Sequence, residues 1–214
     1  MLLAGVVMKL QFALAEVQAE TGRLAEAAMV RPVAEYAKSH GGRPNPRAAA
    51  IEMVSRERAL IYWICATTGL RNGELAALRW EHLHLDGDEP HLALPGAFTK
   101  NGEDARLPLQ RFLAAALKQL RTDRGAARGK PEGETELVIN VSWRIASHVR
   151  RDAVYAGLLT SSEPDSRRLD LHALRHSCVR ILRELGVPVE VAQVVLRHSD
   201  IRLTLETYGS AEEE

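Results

Sequence analysis

The stretch LHALRHSCVRILRELGVPVEVAQVVLRHSDIRLTLETYGS, residues Leu171–Ser210, has the clearest helical pattern in this chain of 214 residues. Gly186 and Pro188 form a stop and a start between two helices. Asp200 is placed to cap a last short helix that carries Tyr208. The apolar side chains at helical spacing are Leu174, Cys178, Ile181, Leu182 and Leu185. The stretch therefore predicts short helices that pack through one apolar face.

The same helices carry polar side chains that a hydrophobic core does not require, namely His172, Arg175, His198 and Tyr208. His172 and Arg175 are three residues apart, so a helix places them on one face. An arginine holds two phosphate oxygens in a fork and stays charged. The combination is typical of a site that handles a phosphate.

Composition limits the class of protein. Hydrophobic residues make up 46% and aromatic residues only 5%, so a core of leucine, valine and alanine is expected, which favours helices. The formal net charge is +0, so a nucleic-acid partner requires charge that is concentrated on one face. Cys65 and Cys178 lie in apolar helical contexts and are predicted to be packed, reduced thiols of a cytoplasmic protein. No apolar run is long enough to cross a membrane.

The first part of the chain predicts more helices. Residues 1–38 are predicted to form a helix that breaks before Pro32, because proline removes a main-chain donor. A Gly/Pro-rich joint follows. A second helix then runs from about Ala48 to Gly69, and a short third helix ends near Asp86.

The middle of the chain differs from the rest. Alternating apolar positions in residues 91–109, around a turn at Lys100–Gly102, predict a β-hairpin. Residues 137–141 are predicted to be a short strand or an extended segment, and residues 143–159 a helix. The expected fold is mainly α with a small antiparallel β-sheet, an α+β fold.

A second arginine and a lysine extend the candidate site. Arg71 follows directly after the predicted end of the second helix, and two arginines can hold the non-bridging oxygens of one phosphodiester as charge grows on them. Tyr208 is the candidate nucleophile. Since tyrosine has a pKa of about 10, arginines must stabilise its phenolate and a histidine must take its proton. Lys100, at the hairpin tip, is the candidate proton donor to the leaving oxygen.

Taken in order, these motifs resemble the catalytic domain of the tyrosine recombinases, or phage-type integrases. That family has an arginine in a TGLR-x-x-E-L box, a lysine in a β-hairpin, an H-x-x-R box, a later histidine and a nucleophilic tyrosine. The matching stretches are TTGLRNGEL with Arg71 and Glu74, TKNGEDARLPL with Lys100, HALRHS with His172 and Arg175, and LRHSDIRLTLETYG with His198 and Tyr208. Each box alone is a weak signal, whereas their order over roughly Ser55–Ser210 is specific.

The resemblance implies a site-specific recombinase or integrase that acts on double-stranded DNA. Such an enzyme cuts one strand by forming a 3′-phosphotyrosyl link and frees a 5′-hydroxyl, and a hydroxyl of a partner strand then reseals the DNA. It uses no metal and no nucleotide cofactor. It acts as a homotetramer on DNA, and the free chain is expected to be a monomer. A cytoplasmic protein encoded by a bacterium, a phage or another mobile element is expected.

Two departures from the family pattern concern Arg197 and the N-terminus. Arg197 stands where glycine is the commonest residue before the late histidine. Residues 48–214 are expected to be the catalytic domain. Residues 1–47 are expected to be a helical segment too short for a complete DNA-gripping domain, either a remnant or an altered lead-in.

Other polar residues allow less specific interpretations. A zinc site at His172 and His176 is disfavoured because Ala173 replaces the glutamate of the metalloprotease motif. His176 is instead predicted to be a buried, hydrogen-bonded supporting residue, and Glu74 to hold an arginine in place. The tryptophans Trp63, Trp80 and Trp143 are predicted to pack in the core or at its rim. The arginines Arg144, Arg150, Arg151, Arg167 and Arg168 form either a DNA-facing stripe or ordinary solvated surface.

Two other functions share parts of this pattern. A type IB topoisomerase uses similar tyrosine, arginine and lysine chemistry but reseals the same strand. A decayed recombinase that only binds DNA requires the loss of Tyr208 or an arginine, and none is lost here.

Overall fold

The computed structural model describes residues 15–43, 45, 47–160 and 169–209. Its helices are α1 (Ala15–Ser39), α2 (Ala48–Thr68), α3 (Asn72–Ala76), α4 (Arg111–Arg128), α5 (Ile145–Tyr155), α6 (Leu171–Glu184), α7 (Val189–Leu196) and α8 (Ile201–Gly209). Its strands are β1 (Leu83–His84), β2 (His91–Leu94) and β3 (Ala105–Pro108), which form an antiparallel sheet in the order β1-β2-β3. The predicted mainly α fold with a small antiparallel sheet is confirmed.

Helix α2 lies at the centre of the core and packs against α1, α4 and α6. Tyr62 and Trp80 are among the largest fully buried side chains of the core, and leucines fill most of the remaining space. Cys65 and Cys178 are both buried and unpaired, as expected of packed thiols. Burial raises the pKa of Cys65 to about 12 and that of Cys178 to about 11, so both stay protonated at neutral pH.

Helix α1 continues through Pro32, so the prediction of a break there was wrong. Proline cannot donate to the carbonyl of Ala28, one turn earlier. The guanidinium of Arg58 on α2 donates to that carbonyl instead, at 2.5 Å. Arg58 and Arg31 also bind the buried carboxylate of Asp152 on α5. These contacts stabilise the helix where local sequence disfavours it. Residues 1–14 of the predicted helix lie outside the described residues.

The short helix after Gly69 ends at Ala76 rather than near Asp86, so its predicted length was wrong. Beyond Ala76 the main chain pairs with the segment that follows α4. The amide of Val138 donates to the carbonyl of Leu78, and the amide of Trp80 donates to the carbonyl of Glu136. These contacts between distant segments override the local helical pattern. Leu137 accordingly lies in an extended segment that forms an isolated bridge.

The hairpin prediction is confirmed. Strands β2 and β3 pair in register, with Leu92 opposite Leu107, and both leucines face the core. Gly102, in the connection, has a left-handed φ of 74°, which glycine adopts without strain. Lys100 lies in the same connection and is exposed.

The tryptophans separate into two groups. Trp80 is buried and donates to the carboxylate of Glu132, and Trp63 packs against the core as predicted. Trp143 is 84% exposed, so the prediction that it packs in the core or at the rim was wrong. The guanidinium of Arg144 lies 4.4 Å from its ring centroid. No helix in the described part of the chain is long and apolar enough to cross a membrane.

Candidate active site

Arg71 is the N-cap residue directly before helix α3, two residues after Gly69, which caps the end of α2. Its main-chain amide donates to Oε2 of Glu74 at 2.9 Å, and its Nη1 donates to Oε1 of the same carboxylate at 2.9 Å. Its Nη2 donates to the main-chain oxygen of Arg197 at 3.0 Å. The side chain stays partly accessible, at 23%. Arg71 is therefore held in one orientation while part of its side chain faces solvent.

Arg175 reaches the same place from helix α6 and is buried. Its guanidinium donates to the carbonyls of Gly69 and Leu196, at the carboxyl ends of α2 and α7. Burial and the nearby charges of Arg71 and Arg197 lower the pKa of Arg175 to about 10. The group remains charged at neutral pH, and the two arginines that the sequence singled out come together.

Arg197 is a third member of the cluster that the sequence analysis did not identify. It is buried, and its Nη2 donates to Oε2 of Glu74 at 2.8 Å and to the carbonyl of Gly69 at 2.7 Å. Its Nη1 donates to the carbonyl of Val195 at 2.7 Å. Its φ of 53° is left-handed, which is where glycine is favoured at the end of a helix. The sequence feature that could have identified Arg197 was its position directly after α7 and before His198.

Glu74 is the carboxylate that binds two of these arginines, Arg71 and Arg197. Burial alone would raise the pKa of Glu74, but the charges and hydrogen bonds of Arg197 and Arg71 outweigh burial and lower it below its ordinary value. Glu74 is therefore ionised and holds two arginines, whereas the sequence analysis predicted that it would hold one. Three guanidinium groups face one carboxylate, so the cluster has an excess of positive charge and suits an anion.

His198 lies at the edge of this cluster and is partly buried. Burial, and then the positive charges of Arg175 and Arg71, lower the pKa of His198 to about 4. The ring is therefore neutral at physiological pH. Its Nδ1 lies 2.9 Å from the hydroxyl oxygen of Thr204 on α8.

His172 and His176 lie side by side on α6. Their rings meet edge to face with centroids 5.0 Å apart, and both are exposed. His172 is close enough to His198 to contribute to the lowering of its pKa. The prediction that His176 is buried and hydrogen-bonded was wrong, because no element of the described chain covers this part of α6. In the described parts of the chain, no group of three His, Cys, Asp or Glu side chains is arranged to hold a metal.

The described structure does not test the predicted roles of Lys100 and Tyr208. In the described chain, Lys100 forms no hydrogen bond or ion pair with the arginines or His198. Tyr208 lies in α8, but its side chain falls outside the described part of the structure. Of the proposed arginine stripe, Arg151 pairs with Glu35 at 2.8 Å, and residues 167–168 also lie outside the described part. The roles of Lys100, Tyr208 and the arginine stripe therefore stay predictions.

Comparison with known protein sequences adds three findings. Residues 48–214 match the model of the phage integrase family. The tyrosine recombinase XerC of Xanthomonas axonopodis pv. citri (strain 306) is 30% identical over 150 residues, which are 70% of this chain and 45% of that protein. An integrase of Streptomyces ambofaciens is 28% identical in a match that covers 83% of this chain and 53% of that protein.

Among solved structures, the XerH site-specific recombinase bound to its difH substrate in a pre-cleavage complex superposes with a TM-score of 0.61. It is 17% identical, and the match covers 89% of this chain and 49% of that chain. At this identity the likeness concerns the fold. The chain spans about half the length of the curated relatives it matches.

Proposed function

Because the chain belongs to the phage integrase family, we propose that it is the catalytic part of a site-specific DNA recombinase that works through a phosphotyrosyl intermediate. The observation that carries this proposal is the convergence of Arg71, Arg175 and Arg197 around the single carboxylate of Glu74. A scissile phosphodiester supplies the anion that this charge excess favours.

In the proposed reaction, Arg71 and Arg175 donate to the non-bridging oxygens of the phosphate. Those oxygens gain charge as the pentacoordinate transition state forms, so fixed guanidinium groups stabilise the transition state more than the ground state. Both arginines are already held by carbonyls or by Glu74, so little reorganisation is required when DNA binds.

Tyr208 is the proposed nucleophile. Its phenolic oxygen attacks phosphorus, the bond from phosphorus to the 5′ oxygen breaks, and a 3′-phosphotyrosyl link forms. We assign the phenolic proton to His172, because His198 is kept neutral by its positive neighbours and binds a proton weakly. Lys100, on the exposed hairpin connection, gives a proton to the leaving 5′ oxygen once DNA covers the site. Attack by a 5′-hydroxyl of a partner strand then reverses these steps.

The proposed partner is double-stranded DNA, bound by a homotetramer in the cytoplasm, without a metal or nucleotide cofactor. Two proteins of the same fold support this partner: XerH was solved bound to its difH substrate, and the Tn1549 transposon integrase was solved in complex with circular intermediate DNA. We assign residues 48–214 to the catalytic domain and residues 1–47 to a lead-in. Packing of α1 on α2 and α5 is consistent with a lead-in that docks on the catalytic domain.

Trapping of a covalent protein–DNA adduct tests this function. The chain is incubated with a randomised pool of duplexes that carry a nick, so that the released strand diffuses away and the adduct accumulates. We expect adduct with the unchanged protein and none with Tyr208→Phe, while reversible DNA binding persists. Tyr155→Phe is the matched control, since Tyr155 is a tyrosine that is 49% exposed and lies outside the cluster. Adduct that persists in Tyr208→Phe contradicts the assignment of the nucleophile.

A further inference from the structure

We infer that Thr204 is a positioning residue that fixes the tautomer and orientation of His198 and makes both depend on the docking of helix α8. The inference rests on the proposed function for its consequence in catalysis. Thr204 is fully buried, and its Oγ1 lies 2.9 Å from Nδ1 of His198. Thr204 precedes Tyr208 by four residues in α8, about one helical turn.

In the described structure, the hydroxyl of Thr204 is hydrogen-bonded to the ring of His198. A threonine inside a helix commonly donates to the carbonyl four residues earlier, which here is that of Asp200. In the described structure, Thr204 makes its hydrogen bond to the His198 ring instead. A buried hydroxyl requires an acceptor for its proton, so the hydroxyl donates and Nδ1 accepts.

This direction of donation decides which ring nitrogen carries the proton. With Nδ1 accepting, a neutral imidazole has its hydrogen on Nε2. An Nε2–H group can donate to a phosphate oxygen, whereas a lone pair at Nε2 would repel it. The hydroxyl of Thr204 therefore makes His198 a donor to the anion that the arginines hold.

The main chain of His198 is held in place by Gln193, independently of Thr204. Its amide donates to the carbonyl of Gln193, and the side-chain amide of Gln193 donates to the carbonyl of His198, both at 3.1 Å. The remaining freedom is rotation of the ring, and Thr204 restricts that rotation only while α8 is docked. His198 thus becomes a competent donor when the helix that carries Tyr208 is seated.

Thr204→Val removes the hydroxyl at nearly constant volume, and Thr204→Ser retains it. Ring nitrogens of the ¹⁵N-labelled, DNA-free protein are measured by NMR at neutral pH. We expect the Nε2–H tautomer for His198 in the unchanged protein and in Thr204→Ser, and a mixture of tautomers in Thr204→Val. We also expect adduct formation about tenfold slower in Thr204→Val, the effect of one lost hydrogen bond, with little change in DNA affinity.

An Nδ1–H tautomer of His198 in the unchanged protein would overturn the inference, because it would show that the hydroxyl of Thr204 accepts the hydrogen bond. An unaltered tautomer and rate in Thr204→Val would overturn it as well. If Thr204→Val does not fold, Thr204→Ala gives the same comparison with a smaller side chain. The predicted tautomer without any DNA adduct contradicts the proposed function, while it supports the link between Thr204 and His198.

Discussion

Arg71 donates a hydrogen bond of 3.0 Å to the main-chain oxygen of Arg197, 126 residues further along the chain. Both side chains also bind the carboxylate of Glu74, Arg71 through Oε1 and Arg197 through Oε2. The carboxylate is buried, so these contacts exclude water. Glu74 thereby holds the beginning of α3 against the end of α7, and the position of each arginine depends on the other.

Replacement of Glu74 by glutamine should destabilise the protein by about 3–5 kcal/mol, because it leaves buried guanidinium groups without a counter-charge. Urea unfolding measures this loss. Glu20→Gln is the control, since Glu20 forms an exposed pair with Arg180 and should change stability by about 0–1 kcal/mol. Added sulfate or phosphate should restore part of the stability of Glu74→Gln by occupying the charge excess. A loss no larger than that of Glu20→Gln would contradict the proposed role of Glu74.

Substitutions at Arg197 separate backbone strain from side-chain bonding. Arg197→Ala removes the buried guanidinium and retains a side chain at left-handed φ, whereas Arg197→Gly also relieves the strain. Both should destabilise, and Arg197→Gly should be the more stable of the two by about 1 kcal/mol. Unfolding by urea measures both. If Arg197→Ala, which keeps the left-handed strain, is as stable as the unchanged protein, the hydrogen bonds of Arg197 to Glu74 and Gly69 contribute nothing to stability.

The pH dependence of stability should report His198. Its pKa in the folded protein, about 4, lies below its ordinary value of 6.5. Between these values the unfolded chain binds a proton that the folded chain does not. The contribution of His198 is therefore complete above about pH 6.5 and is lost as the pH falls toward 4.

His198→Gln should flatten the curve of unfolding free energy against pH over this range. Burial also lowers the pKa of His82 and of His148, so the difference between the two proteins isolates His198. Bound inorganic phosphate should raise the pKa of His198, because its charge opposes that of the arginines. NMR titration with and without phosphate measures this shift, and a pKa that phosphate does not change would place the anion elsewhere.

The sequence predicted the features that local signals determine. The end of α2 at Gly69 follows from glycine's left-handed conformation, and the hairpin follows from alternating apolar residues around a turn. Arg175 was singled out because it shares a helical face with His172, and Arg71 because it follows the end of α2; the order of the motifs, which resembles a known family, made both assignments specific. Distances within the cluster do not follow from any local pattern.

Several of the wrong predictions have one physical cause, which is contact between distant segments. Helix α1 passes Pro32 because Arg58, from another helix, donates to the carbonyl that proline leaves free. Arg197 binds Glu74 across 123 residues, so its sequence neighbours do not reveal the contact. The exposure of His176 depends on which elements cover α6, and a helical pattern does not specify them.

Asp152 should be a main residue through which α1 is held to the proposed catalytic domain. Its buried carboxylate accepts hydrogen bonds from Arg31 on α1 and from Arg58 and Tyr62 on α2. Asp152→Asn should cost about 3–5 kcal/mol of unfolding free energy, because the buried guanidinium of Arg58 loses its counter-charge and that of Arg31 keeps only Glu35. The control is Asp123→Asn at the more exposed pair with Arg56, which should cost about 0–1 kcal/mol.

Hydrogen exchange distinguishes a local effect of Asp152→Asn from a global one. Arg31 loses the partner that joins α1 to α5, and Arg58 loses the carboxylate that orients it toward the carbonyl of Ala28 beside Pro32. Amides of α1 should therefore exchange faster than those of α6, whose contacts with α2 do not involve Asp152. Equal acceleration in both helices would mean that α1 and the catalytic domain unfold as one unit, which contradicts a separable lead-in.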